Sequence, residues 1–193
     1  MDIQCECGQF RARLKAFPRN TPGRLVCYCD DCQAYLHHLK RDDLLDAHGG
    51  TEVIPAYPAD IEILSGREHL KCTRLSPKGA FRFSVSCCNS PIVGLRPGMP
   101  WASFPRSAYP VDEQQLDQTL GPVRSRVMGR YAQGTPPAGT ADKLNLKAVM
   151  TVLPFMLKGV LLKKSRPSPF FAEDGLTPIV MPQIVNDAPR QGV

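Results

Sequence analysis

A mainly β domain of short antiparallel strands, followed by a C-terminal amphipathic helix and an extended tail, is the fold class this 193-residue sequence predicts. Three observations lead there. Short apolar or alternating runs recur at strand-like spacing through the first half. Nineteen prolines and fifteen glycines imply many short elements joined by turns rather than a helical bundle. Seven of the eight cysteines fall into three tight groups: Cys5 with Cys7, Cys27 with Cys29 and Cys32, and Cys87 with Cys88.

Taken in order, residues 9–14 alternate in polarity and predict a strand, and residues 17–23 carry loop chemistry. Residues 24–26 lead a short strand into the central cysteine run, and residues 33–39 predict a helical turn or two leaving it. Strand candidates follow at 51–55, 61–64, 70–75 and 81–85, the last two joined by a hairpin at Pro77-Lys78-Gly79. Cys87-Cys88-Asn89-Ser90-Pro91 makes a second cysteine turn, with later strands at 92–94 and 102–104. Residues 1–110 thus form one β domain, and 111–193 an extension packed on it. The extension holds a short helix at 112–120, a basic ambiguous stretch at 123–131 and a linker at 134–139. Leu146, Val149, Met150, Leu153, Leu157, Val160 and Leu161 then recur at helical spacing, with a kink expected at Pro154. From Ser165 the Pro-rich chain reads as extended.

Three thiols within six residues, Cys27 to Cys32, do not suit a packed core; a tight turn would let their sulfurs converge on one soft divalent cation. The N-terminus has neither a charged nor an apolar leader segment, and C-x-C or adjacent cysteines make strained disulfides. A reducing, cytoplasmic location with metal-held thiolates is therefore expected. Cys5 and Cys7 form half of a tetrahedral site that Cys88, together with Cys87, would complete across the β domain, stapling the N-terminal strand to the middle of the sheet. Cys27, Cys29 and Cys32 offer three ligands only. Either an open position remains for water or substrate, or His37 or His38 closes the site. Cys72 stands alone, with a core position the expectation and a spare ligand the alternative. His48 and His69 read as turn or surface residues.

These features resemble the glutathione-dependent formaldehyde-activating enzyme family, which includes centromere protein V. The matching elements are Cys5-Glu6-Cys7-Gly8 before a strand, the run Cys27 to Cys32, and Cys88-Asn89-Ser90-Pro91, in the same order over about residues 1–105. The resemblance implies a zinc-bearing β-tent fold. It implies a structural zinc on Cys5, Cys7 and the late pair, and a second, labile zinc on Cys27, Cys29 and Cys32. That second ion is linked in the family to a glutathione–formaldehyde thiol adduct, so a carbon–sulfur lyase with Cys29 in its catalytic site is expected. The sequence departs from the family pattern at Val85, where a cysteine is usual, and at Asn89, where glycine is usual. The ligand that Val85 cannot supply must then be Cys87 or a residue from elsewhere.

The net charge of +6 favours anionic partners. Arg24, Arg67, Arg74, Arg82 and Arg96 are candidates for binding substrate carboxylates, and the sequence does not choose among them. Aromatic content of 7% and the lack of a stacking motif argue against nucleic acid. Residues 143–166 carry six Lys/Arg and no Asp/Glu. The apolar face of this helix is expected to dock on the β domain or on a second subunit, as in a homodimer, with peripheral contact to an anionic membrane the alternative. A non-catalytic zinc-stabilised module binding a protein or an anionic surface is the second function class.

Overall fold

Alternation of inward apolar and outward charged side chains builds the sheets. In β2 (Arg11–Leu14), Ala12 and Leu14 are buried while Arg11 and Arg13 face solvent. The computed structural model describes residues 1–185; the extended reading of 186–193 lies outside the described residues. β2 sits between β1 (Asp2–Gln4) and β5 (Ile61–Ser65) in a three-stranded antiparallel sheet.

The larger sheet has eight strands. Its middle is antiparallel as predicted: β3 (Leu25–Cys27), β4 (Thr51–Ala56), β9 (Ala102–Pro105), β8 (Pro91–Leu95), β7 (Phe81–Val85) and β6 (Leu70–Arg74), in that spatial order. The edges differ from the sequence reading. β10 (Ser125–Val127), within the ambiguous basic stretch, runs parallel to β3, and β11 (Pro182–Ile184), from the tail, runs parallel to β6. The C-terminal segments thus cover both open edges of the sheet. The outermost strands are then only three residues long, which keeps the rows of unpaired backbone groups short.

One core serves both sheets. It joins Ile3, Phe10, Ala12 and Leu14 to Ile54, Phe83, Ile92 and Phe104. The Pro-rich tail is not simply extended: Phe170 and Phe171 are buried in this core. Phe170 packs 4.8 Å from the Phe83 ring, centroid to centroid, and Phe171 meets Phe81 edge-on at 5.4 Å. Local polarity near Ser165 concealed that long-range packing.

Three α-helices occur among the described residues. α1 (Asp30–Leu39) begins three residues earlier than expected, with Cys29 at its N-cap and Asp30 and Asp31 in its first turn, where carboxylates favour the positive end of the helix dipole. α2 (Glu113–Leu120) is capped by Asp112, whose carboxylate accepts the Gln115 N–H at 2.7 Å. It buries Leu116 and Leu120, and Glu113 and Asp117 reach the buried Arg24 guanidinium, which also holds Glu52 at 2.6 Å. Arg24 is therefore a structural clamp, not a free substrate ligand.

α3 (Leu146–Leu161) is capped by Asn145 and continues through Pro154. Its buried side is narrow: Ala148, Phe155 and Gly159. Phe155 stacks on Tyr57 at 4.1 Å and takes the Trp101 ring edge at 5.7 Å, while the Tyr57 hydroxyl donates to the Phe155 carbonyl at 2.7 Å. A Cβ at Gly159 would lie 2.6 Å from the Pro100 ring, so only glycine allows this approach. Of the two partners expected for the large apolar face, the β domain does not take it. The helix is anchored through its opposite side, and Leu146, Met150, Leu153 and Leu157 remain exposed.

Two outcomes follow from this packing. Phe170→Ala should cost about 3–5 kcal/mol in guanidinium unfolding, as expected for a buried ring; a loss below 1 kcal/mol would show that the tail does not complete the core. Arg24, and then Arg106, hold the Glu113 carboxyl below the ordinary carboxylate range despite a small opposing desolvation. Its stabilisation is present above the unfolded value and is lost as pH falls through the folded one. Glu113→Gln should therefore flatten the loss of stability below about pH 4, and an unchanged acid limb would dismiss this contact as a contributor.

Candidate metal centres

Two turns bring the first group together. The loop between β1 and β2 closes through Gly8 N–H to Cys5 carbonyl (3.0 Å) and Cys5 N–H to Phe10 carbonyl (3.1 Å). Gly8 has φ +74°, a left-handed conformation suited to glycine. The turn between β7 and β8 is closed by Val85 N–H to the Ser90 carbonyl at 3.1 Å, with Asn89 at φ +53°. Asparagine is one of the few side chains that enter this region readily, so the departure from glycine at this position keeps the turn.

The sulfurs of Cys5, Cys7, Cys87 and Cys88 all lie within 4.8 Å of one another. Cys5–Cys7 is 3.5 Å, Cys7–Cys87 3.4 Å, Cys5–Cys87 3.9 Å and Cys87–Cys88 3.8 Å. Bonds of ~2.3 Å to a tetrahedral ion place sulfurs ~3.8 Å apart, so the spacing fits a metal ion. Cys87, despite adjoining Cys88, places its sulfur with the other three. The Cys5 sulfur accepts the Phe10 N–H at 3.3 Å. The Ser90 hydroxyl lies 3.1 Å from Cys88 and accepts the Glu6 N–H at 3.1 Å, tying the two turns. Desolvation raises the Cys88 thiol, but the Ser90 hydroxyl and the Cys7 and Ser90 backbone overcome it and leave Cys88 at about 6. Burial pushes Cys5 upward.

Cys27, at the end of β3, Cys29, at the cap of α1, and Cys32, in its first turn, form the second group, again with sulfurs within 4.8 Å. The run is a strand end passing into a helix rather than an isolated turn. Tyr28 between them is fully buried; its hydroxyl donates to Asp46 at 3.1 Å and its N–H to the Val127 carbonyl at 3.1 Å. Gln33, also buried, donates to the carbonyls of Tyr28 (2.7 Å) and Tyr131 (2.9 Å). The backbone around the three sulfurs is thus held from both sides.

The three thiols of this group differ in their surroundings. Hydrogen bonds from Cys27 and Cys29, together with the Arg82 guanidinium, hold Cys32 well below the usual thiol range against desolvation. Its donation to Cys29 and Cys32 raises Cys27 well above that range. Cys29 is lowered by its bond from Cys27 but raised further by donation to Cys32 and by burial, to about 12. Three neutral thiols would have no reason to converge so closely; one thiolate shared by two donors, or a cation, gives them one.

Neither His37 nor His38 joins the group: it comprises the three cysteines alone among the described residues, and His37 Nδ1 contacts the Asp42 carboxylate instead. His48 Nδ1 contacts the Gln133 carbonyl at 2.9 Å, and His69 lies in a turn beside Glu68. Cys72 is a buried core residue belonging to neither group, its thiol pushed up to about 12 by burial. The structure also chooses among the arginines. Arg74 lies 4.4 Å over Phe81 and donates to the Gly79 carbonyl, and Arg96 donates to the Lys78 carbonyl. Arg82, on β7, lies beside Cys32 and 5.2 Å from the Tyr35 ring. Nothing in the local sequence set it apart; only the packing of α1 against β7 does.

The two groups share a support. α1 starts at the three-cysteine group, and Arg41, just past its end, reaches Glu6 at 3.0 Å, between Cys5 and Cys7. β7 makes the same connection, from Arg82 to the turn carrying Cys87 and Cys88.

The sequence matches a family of unknown function, DUF6151, over residues 1–180. No curated protein matches it significantly. A crystal structure of a Rhodobacter sphaeroides protein, a structural-genomics target, is similar at 16% identity with a TM-score of 0.42, covering 64% of this chain and 97% of that one.

Cobalt titration of the reduced protein should saturate at two equivalents, with thiolate-to-metal absorption, and at one in either Cys88→Ser or Cys32→Ser. Saturation of the unmodified chain at one would leave the three-cysteine group without a metal.

Proposed function

We propose that this chain, which belongs to the DUF6151 family, is a zinc-binding protein whose three-cysteine site acts on a small thiol adduct as a carbon–sulfur lyase. The observation that carries the reading is three converging sulfur donors with no fourth His, Cys, Asp or Glu among the described residues, beside a cation. Resemblance of the ordered cysteine motifs to the glutathione-dependent formaldehyde-activating enzyme family supports it, and the β-tent description of the fold belongs with the same reading. The donor sets fit the ion: all-sulfur coordination suits zinc, and a site short of one protein ligand is the layout used for a substrate atom or water.

Cys5, Cys7, Cys87 and Cys88 supply a complete set and hold a structural zinc. Cys27, Cys29 and Cys32 hold the second, labile ion. When bound there, zinc supplies Lewis acidity and favours the thiolate form of an incoming thiol. The chain supplies the rest. Tyr28 and Gln33 fix the backbone that presents Cys29, and the N-terminus of α1 offers a positive dipole to the sulfurs. Arg82 places a guanidinium beside the site, where an anionic adduct of the glutathione type would be held. A reducing, cytoplasmic setting suits the eight cysteines, all present as free thiols.

Adding S-hydroxymethylglutathione to the zinc-loaded protein should change the sulfur coordination seen by X-ray absorption at the second site. Cys29→Ser should abolish that change, and Arg82→Gln should weaken the adduct's apparent affinity roughly tenfold or more, as for loss of a charge-assisted bond. An unchanged response in Cys29→Ser would refute the assignment.

A further inference from the structure

α3 is bound to the protein by one side and leaves the other uncovered. At 100° per residue, Leu146, Met150, Leu153, Leu157, Val160 and Leu161 lie on one face, opposite the anchoring Ala148, Phe155 and Gly159. These six side chains are between 40 and 81% exposed. The face runs the length of a 16-residue helix, or about 24 Å at 1.5 Å per residue. An apolar area of this extent is uncommon on a protein surface that meets only water.

The helix and its flanks are mainly cationic, with the exposed Asp142 just before Lys143. From Lys143 to Arg166 there are six Lys/Arg and no Asp/Glu. Lys158 is held by Asn20 and Lys164 by Asp60, while Lys143, Lys147 and Lys163 are exposed beside the face and at its two ends. A second copy of this helix laid on the first would bring these cations together. A layer with an apolar interior and an anionic surface matches both features at once. The helix is too short to cross such a layer: no helix of the described residues is long and apolar enough to span a membrane. It is instead fixed flat, by the Phe155 slot between Tyr57 and Trp101, with its apolar side outward.

We propose that α3 is an interfacial anchor that seats the exposed leucine face in the surface of an anionic lipid bilayer, with Lys143, Lys147 and Lys163 at the headgroups. The anchoring contacts already exist without lipid, so seating requires no refolding of the helix. The rest of the chain, with both cysteine groups, then rides on the bilayer surface.

Sedimentation of the full zinc-loaded chain with vesicles tests this. With vesicles of 70% phosphatidylcholine and 30% phosphatidylserine, binding should be at least tenfold tighter than with phosphatidylcholine alone, and should weaken as salt rises. Leu153→Asp with Leu157→Asp should reduce binding at least tenfold at unchanged melting temperature. Lys147→Glu with Lys163→Glu should remove the preference for phosphatidylserine. Equal binding by the leucine variant and the unmodified chain would overturn the proposal. So would no binding to either vesicle, or a dimer in light scattering that the leucine variant dissolves, since a second copy would then occupy the face. If the leucine variants keep the cobalt stoichiometry while losing vesicles, the anchor and the metal chemistry are separable.

Discussion

Convergence of sulfur atoms from distant parts of the chain is the constraint on which the architecture rests. Cys5 and Cys87 are 82 residues apart in sequence, yet their sulfurs lie 3.9 Å apart. Contacts of that kind between thiols contribute little by themselves. Their geometry would suit a partner able to take several sulfur lone pairs at once, such as a divalent ion of soft character. Binding such an ion is folding free energy, of order 10 kcal/mol for structural zinc. In a chain of short strands, with loops rich in proline and glycine, that contribution is comparable with the net stability of an ordinary domain.

The two groups differ in completeness more than in chemistry. The first is closed by its own four sulfurs, and Ser90 and Phe10 N–H complete the shell around it. The second stops at three among the described residues, with Arg82 beside Cys32. Protein interiors do not keep an isolated cation next to reactive sulfur without compensation. Arg82 lies beside that group, with its guanidinium 5.2 Å from the Tyr35 ring.

Much of the central fold is readable from residues alone, because the period-two alternation in segments such as Arg11 to Leu14 reports one buried face directly. The cysteine groups are readable for a similar reason: C-x-C and C-x-x-C spacings are local. What the residues conceal depends on partners far along the chain. Ser125 to Val127 looks ambiguous because an edge strand of three residues is specified by its neighbour β3 rather than by its own pattern. Phe170 and Phe171 sit in a Pro-rich run that gives no periodicity, and only their packing on Phe81 and Phe83 shows them as core. Arg82 resembles every other strand arginine until α1 is laid across it. The helix α3 is the reverse case. Its apolar spacing is plain, but which side meets the protein is decided by Gly159, a position that periodicity ignores.

The double tie between the cysteine groups limits how the chain can vary. α1 and β7 each run from the neighbourhood of one cysteine group toward the other. The ten residues of α1 at 1.5 Å each and the five residues of β7 at 3.3 Å each come to about 15 Å and about 16.5 Å. Removing a single residue from the helix would turn one end against the other by about 100° and shorten only one of the two. A change of length between Cys32 and Arg41 would therefore disturb both cysteine groups, whereas the loop at residues 134–139 touches neither.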